Sequence, residues 1–247
     1  MRSLARKIPG WIYILAFLSA LVVYSFLNSQ KYQDTLPLLL SGVLLTVRIS
    51  LISLLISLCI GLTAGFARAS KHPALSFPFG FYVEVVRGTP TFVTILYVAF
   101  VLAPLISRLI GIDTFSEAAR AIVALAFASG AFMAEDFRAG IESIRPGQME
   151  AAQSIGMSNF QAMRFVILPQ AIRNVLPALG NDFIGLLKDS SLASLIAVKE
   201  LTHLGRLNVG LTFDTFTTWN LVAILYLTMT LGLSAGTGVL ERKFAIR

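Results

Sequence analysis

Three groups of polar residues interrupt the apolar runs of the chain, and their types suit the handling of charged solutes better than covalent chemistry. Glu84 and Arg87 stand three apart, a spacing that brings two side chains together on one helix face, and Gly88, Thr89 and Pro90 behind them distort a helix. The pair reads as structural stabilisation or as a gate. Glu135 and Asp136 follow Gly130 and Ala131, where small residues permit close helix approach, so a carboxylate there can meet a solute ammonium or orient itself against Arg138. Asn181, Asp182, Lys188, Asp189, Ser190 and Ser191 put polar groups along one further run, too many to expose to lipid, and are expected to line a polar path. Lys188 and Asp189 are read either as an ion pair between helices or subunits or as a contact for a zwitterionic solute.

Other chemistries find little support. His72 and His203 lie far apart, with no Cys or clustered acids at ligand spacing, so no metal is expected. Cys59 is the only cysteine, which rules out an intrachain disulfide. No GxxxxGK[ST] phosphate loop occurs, and no nucleophile, base or metal set suggests an enzyme.

The elements that must position these groups are membrane helices. The chain has 247 residues, 56% hydrophobic and 13% charged, with mean hydropathy +0.77, where soluble domains carry roughly 25% charged residues. Its net charge of +7 and pI near 9.9 come from basic residues scattered between apolar runs, so nucleic acid is not the expected partner. Apolar runs cover about Trp11 to Leu27, Leu38 to Ala67, Phe79 to Leu109, Ala119 to Phe137, Ala171 to Val198 and Trp219 to Leu240, each long enough to span. The expectation is an all-α bundle of about six transmembrane helices, the first a retained anchor, with residues 1–37 as anchor and linker and 38–247 as the transmembrane domain. With the N-terminus in the cytoplasm, most basic residues, among them Arg68, Arg87, Arg138, Arg145, Arg164 and Arg173, fall inside. Both termini are therefore expected in the cytoplasm.

The longest polar stretch, about 139–170, is more elaborate than a connecting turn needs to be. Pro146 and Gly147 end the preceding helix, and Gln148 to Ser154 fit a short helix with Glu150 near its N-terminus, closed by a left-handed turn at Gly156. Ser158 and Gln161 have capping-box spacing for a second short helix, in which Phe160, Met163, Arg164 and Ile167 lie on or near one face until Pro169 stops it. Such an element can present Met157 and Phe160 to a cytoplasmic partner, or lie as an amphipathic loop against lipid.

The segment EAAQSIGMSNFQAMRFVILPQ resembles the EAA loop of ABC importer permeases: Glu150, Ala151 and Ala152, then Gly156, then Leu168 and Pro169, with Val166 where isoleucine is usual. The resemblance runs from about Leu39 to the C-terminus, and SGVLLTVRIS, EVVRGTPTFV, GAFMAEDFRAGI and RNVLPALGNDFIGLLKDSSLASLIAVKEL bring it closest to permeases for polar amino acids. Many members of that group have five spans and begin outside, so the extra first helix places the start inside.

By this resemblance the 139–170 loop, with Glu150, Gly156, Met157, Ser158 and Phe160, docks into an ATP-binding subunit and passes its closure to the membrane helices. The resemblance further implies a second permease chain, a dimer of ATP-binding subunits that carries ATP and Mg, and an extracytoplasmic solute-binding protein delivering an amino acid. The location implied is the bacterial cytoplasmic (inner) membrane, and this chain itself binds no cofactor. The rivals are an ATP-independent channel or ion-coupled carrier, which needs no ATPase dock, and a membrane anchor, which needs no polar path.

Overall fold

A computed structural model describes residues 24, 28–70, 72–112 and 114–244, with side chains to residue 239. The expected first span, apart from Tyr24, lies outside these residues, as do Lys71 and the side chains of Arg242 and Lys243. Among the described residues the chain is helical throughout, without a strand.

Helix α1, Gln30–Ala69, starts well before the expected Leu38 and carries Pro37 in its interior, at the loss of one backbone hydrogen bond. Its 40 residues make a rod about 60 Å long, roughly twice the ~30 Å hydrocarbon core of a bilayer. Along one face Gly42, Thr46, Ser50, Ser53, Ser57, Gly61 and Gly65 are all buried. Their hydroxyls are satisfied mostly by α1 itself, Ser50 donating to the Thr46 carbonyl at 2.8 Å and Ser57 to that of Leu54 at 2.9 Å. The face is therefore narrow without being unsatisfied.

Against it lies α4, Glu117–Glu142, whose N-terminus is capped by Ser116 accepting from the Ala119 amide at 3.2 Å. Ser53 of α1 donates to the Ile122 carbonyl at 3.3 Å. Farther along, a Cβ placed on Gly61 would stand 2.6 Å from Met133 Cβ, and one on Gly65 would stand 2.7 Å from Phe137 Cβ. Positions rise together along both helices, so the two run parallel, close enough that only glycine fits at 61 and 65.

The expected run Phe79 to Leu109 is not one helix. It breaks at Thr89 and Pro90 into α2, Pro73–Gly88, and α3, Thr91–Leu109, which widens by one π-helical stretch at Val98–Leu102. Pro90 lacks an amide hydrogen and clashes with a continuing helix, which accounts for the break where the sequence placed a distortion. Val83 and Val86 of α2 pack with Ala64, Ala131 and Ala134, while Ile95, Val98 and Ala99 of α3 pack with Ile49, Ala121 and Leu125.

After α4 come α5, Pro146–Ser154, α6, Asn159–Ala162, and α7, Leu168–Asp189, which packs against α4 and continues as a 3₁₀ turn over Ser190–Ile196. Two final helices follow, α8, Leu201–Thr212, which the apolar runs did not reveal, and α9, Thr215–Phe244. Among the described residues four helices are long and apolar enough to cross a membrane by length and composition: α1, α3, α4 and the Thr215–Val239 part of α9. Helix α7 was expected to span but is not among them, because Gln170, Arg173, Asn174, Asn181 and Asp182 interrupt its apolar residues.

Glu200 ties the ends of the bundle together. Fully buried, its carboxylate caps α8 by accepting from the amides of Thr202 and His203 at 2.9 and 2.8 Å and also accepts from the Tyr226 hydroxyl of α9 at 2.9 Å. Thr46 of α1 accepts from the Leu201 amide at 3.1 Å beside it. A buried carboxyl group is tolerable there because each donor around it is a hydrogen-bond partner.

Two outcomes follow for purified protein in mild detergent. Gly61→Val should lower unfolding stability by about 1–3 kcal/mol through overpacking against Met133, read as a shifted denaturation midpoint. Glu200→Ala should cost about 2–3 kcal/mol by orphaning the Thr202 and His203 amides, whereas Glu200→Gln, which still accepts, should cost less.

Candidate functional site

At the end of the bundle where α1 and α4 terminate, α5 and α6 form a compact knob held largely by its own hydrogen bonds. Pro146 opens α5, which ends when Gly156, at φ +87°, turns left-handed. The Gly156 amide then donates to the Gln153 carbonyl at 2.9 Å and the Met157 amide to that of Ala152 at 3.1 Å, the paired bonds of a Schellman close. The capping box read from the sequence is present: Ser158 Oγ accepts from the Gln161 amide at 3.3 Å and the Gln161 side chain accepts from the Ser158 amide at 2.9 Å. Gln153 donates to Asn159 at 2.6 Å, latching the two helices.

Three details of that reading change. Glu150 sits beyond the first turn, since α5 begins at Pro146. Pro169 does not stop the second helix: a π-helical stretch at Met163–Ile167 widens the backbone just ahead of it, and Pro169 enters the first turn of α7 without a clash. That extra residue in the turn also rotates the side chains, so Phe160 and Ile167 do not share a face. Phe160 is 71% exposed and Ile167 buried.

The knob's outer surface carries large apolar side chains among polar ones. Ile155 is 75% exposed and Phe165 63%, beside exposed Glu150 and Ala151, while Ala152 and Ala162 turn inward. Its inner side is tied to α7 by Gln170 donating to Gln148 at 3.4 Å, and the end of α4 just before it by Asn174 of α7 donating to Ser143 Oγ at 3.0 Å.

A few turns up α4, charges from three helices converge. Glu135 accepts from Arg68 of α1 and Arg138 of its own helix, each at 2.5 Å, and faces Arg87 of α2 at 3.7 Å. Arg68 also reaches Glu84 at 3.1 Å and Arg138 reaches Glu142 at 2.5 Å. Glu84 and Arg87 therefore pair with other helices rather than with each other. Three acids meet three bases, so the cluster is neutral, and the Glu135 carboxylate is already occupied by guanidinium groups. Arg68 had been read only as an orientation signal; an even count of acids and bases near the helix ends was the available clue.

Asp182 presents the opposite case. Its Oδ2 is buried and receives no hydrogen bond, and the group in contact with it is the carboxyl of Asp136 on α4. Two facing carboxylates in a poorly hydrated place call for a cation or a proton between them. The remaining residues of the expected path lie at the far end of α7, where Lys188 is exposed, Asp189 and Ser191 half-buried, and Ser190 buried and donating to the Leu187 carbonyl at 2.7 Å. Thr89 at the α2–α3 break donates to the Val85 carbonyl at 2.8 Å. Glu84, Arg87 and Glu135 are thus brought together, Asp182 joins Asp136, and Lys188 to Ser191 stand apart from both groups.

Comparison with known proteins bears on the family and the fold. The sequence model of the family described as "Binding-protein-dependent transport system inner membrane component" matches residues 57–246. The chain is similar to the glutamine transport system permease protein GlnP of Escherichia coli (strain K12), 40% identical over 216 residues that cover 85% of this chain and 94% of the relative. It is also similar to the probable amino-acid ABC transporter permease protein YckA of Bacillus subtilis (strain 168), 36% identical over 88% of this chain and 94% of the relative. Among solved structures, a chain of an amino acid ABC transporter described "with histidines" superposes with TM-score 0.76 at 36% identity, covering 88% of this chain and 98% of the other. A chain of the MetNI methionine ABC transporter shares the fold, with TM-score 0.74 at 20% identity over 88% of this chain and all of the other. On the family match and the relatives together, the chain is a membrane-spanning permease that belongs to the family of binding-protein-dependent transport system inner membrane components.

Proposed function

We propose that this chain is the membrane-spanning half of an ATP-driven importer for polar amino acids. The knob formed by α5 and α6 docks on an ATP-binding subunit that binds Mg and ATP and carries out the hydrolysis. A second permease chain completes the path, an extracytoplasmic binding protein delivers the solute, and both termini lie in the cytoplasm. The observation that carries this reading is the knob itself. Ile155, Phe160 and Phe165 are exposed on a polar loop whose shape is fixed by a Schellman close and a capping box, a cost in ordered apolar surface that an idle connection would not bear. The amino-acid preference is supported by the names of the relatives and by the acids of α4 and α7. Asp136 and Asp182 are the groups proposed to meet the solute's ammonium, with Lys188, Asp189 and Ser191 farther along the same path and Thr89 and Pro90 as its hinge.

Two measurements test this. Wild-type protein and Glu150→Arg, extracted from native membranes in mild detergent, are assayed for bound ATPase subunits and ATP hydrolysis; the wild type should retain the ATPase and the inserted variant should lose it. If the wild type retains none under stabilising conditions, an autonomous channel or ion-coupled carrier replaces the importer. Asp182→Asn should keep the ATPase bound while reducing amino-acid uptake by about tenfold or more, as expected for loss of one charge-assisted contact of 1.5–3 kcal/mol; undiminished uptake removes Asp182 from the path.

A further inference from the structure

We infer that Arg87 is the switch through which solute in the membrane domain and the ATPase at the knob sense one another, dividing its charge between Glu135 and Asp136. The inference rests on the importer reading above and adds to it the residue that joins its two sites.

Arg87 occupies the last turn of α2, immediately before the break at Thr89 and Pro90. It faces Glu135 at 3.7 Å, leans over the ring of Phe132 at 5.9 Å, and acts electrostatically on Asp136, the next residue of α4. The other two guanidinium groups on Glu135 are closer, at 2.5 Å, and their side chains are 13% and 28% exposed against 39% for Arg87. Arg68 and Arg138 therefore hold Glu135 in place, and Arg87 is the cation free to shift. It has somewhere to go, because half-buried Asp136 already meets Asp182, whose buried Oδ2 lacks a donor.

The placement links both ends of the transport cycle. Helix α4 continues from Glu135 to Glu142 and through Ser143 into the knob, so displacement of the knob moves Glu135 relative to α2. A solute ammonium at Asp136 and Asp182 satisfies Asp136 and returns Arg87 to Glu135. Without the ammonium, Arg87, only loosely held at 3.7 Å from Glu135, is shared with the two carboxylates. Val83 and Val86 anchor α2 one turn earlier, but past Arg87 the packing thins: a Cβ on Gly88 would touch nothing within 4 Å, and Pro90 offers no amide. The angle between α2 and α3 is accordingly set by which carboxylate holds Arg87. Coupling between two sites of this kind is reciprocal and typically 5–150-fold.

The test uses the complete transporter, with its ATPase and binding protein, reconstituted in lipid nanodiscs and supplied with ATP, with and without solute-loaded binding protein. Arg87→Gln should keep the ATPase bound and keep hydrolysis in the absence of solute, while stimulation by solute-loaded binding protein falls by about fivefold or more. Glu135→Gln should reproduce the loss, and Arg87→Lys, which keeps the charge, should restore a substantial part of it. Arg87 is overturned as the switch if Arg87→Gln is stimulated as fully as the wild type. It is equally overturned if basal and stimulated hydrolysis fall in proportion in Arg87→Gln and Glu135→Gln, since that is loss of structure rather than of coupling. A wild-type preparation without any ATPase subunit instead overturns the importer reading itself.

Discussion

Helices α1 and α4 lie side by side only because α1 turns glycine and small hydroxyl residues toward α4, and the rest of the bundle is arranged around that contact. Apolar surface gains nothing by leaving lipid for another apolar surface, so membrane helices associate through close packing and interhelical hydrogen bonds. The close fit of Gly61 at Met133 and Gly65 at Phe137 supplies the first, and Ser53 at Ile122 the second. With these two helices parallel and in contact, Arg68 and Glu135 come level at one end, and α2, α3 and α7 fill the flanks with Val83, Ile95 and Val175.

Charge placement follows a different rule in each part of the molecule. Glu135 and Glu200 are both saturated, one by guanidinium groups and the other by amides and a phenol hydroxyl, and such groups hold helices in place. Asp182 is left short of a donor. A buried polar atom without a partner costs stability, so its retention on the helix with the most polar run is the kind of defect that function explains better than folding does.

Much of this was legible in the sequence because the deciding forces are local. Apolar runs located α1, α4 and α9, and Pro146, Gly156 and the Ser158–Gln161 pair located the knob, since caps act within a few residues. What was not legible depended on groups distant in the chain. The partners of Glu84 and Arg87 come from α1 and α4, so their three-residue spacing suggested the wrong pair. The carboxylate of Glu200, which starts α8, is buried by Thr46 and Tyr226, neither of which is near it in sequence. The passage of the helix through Pro169 depended on a π-helical stretch that no spacing rule marks, and it left Ile167 buried, off the face of the exposed Phe160.

The bonds that shape the knob have one more consequence, for the order in which the protein can be made. The Gly156 turn, the Ser158 box and the Gln153 latch all close within residues 146–162. Those bonds can therefore form before α7, α8 and α9 exist, though helices this short gain lasting order only once Gln170 and the start of α7 pack against them. The contacts between α1 and α4 need nothing made later either, whereas Glu200 must wait for Tyr226 to complete its shell. Synthesis thus yields a knob with its local bonds in place on an unfinished membrane domain, and the last helix closes the fold by completing the hydrogen bonds of a carboxyl group that was already in place.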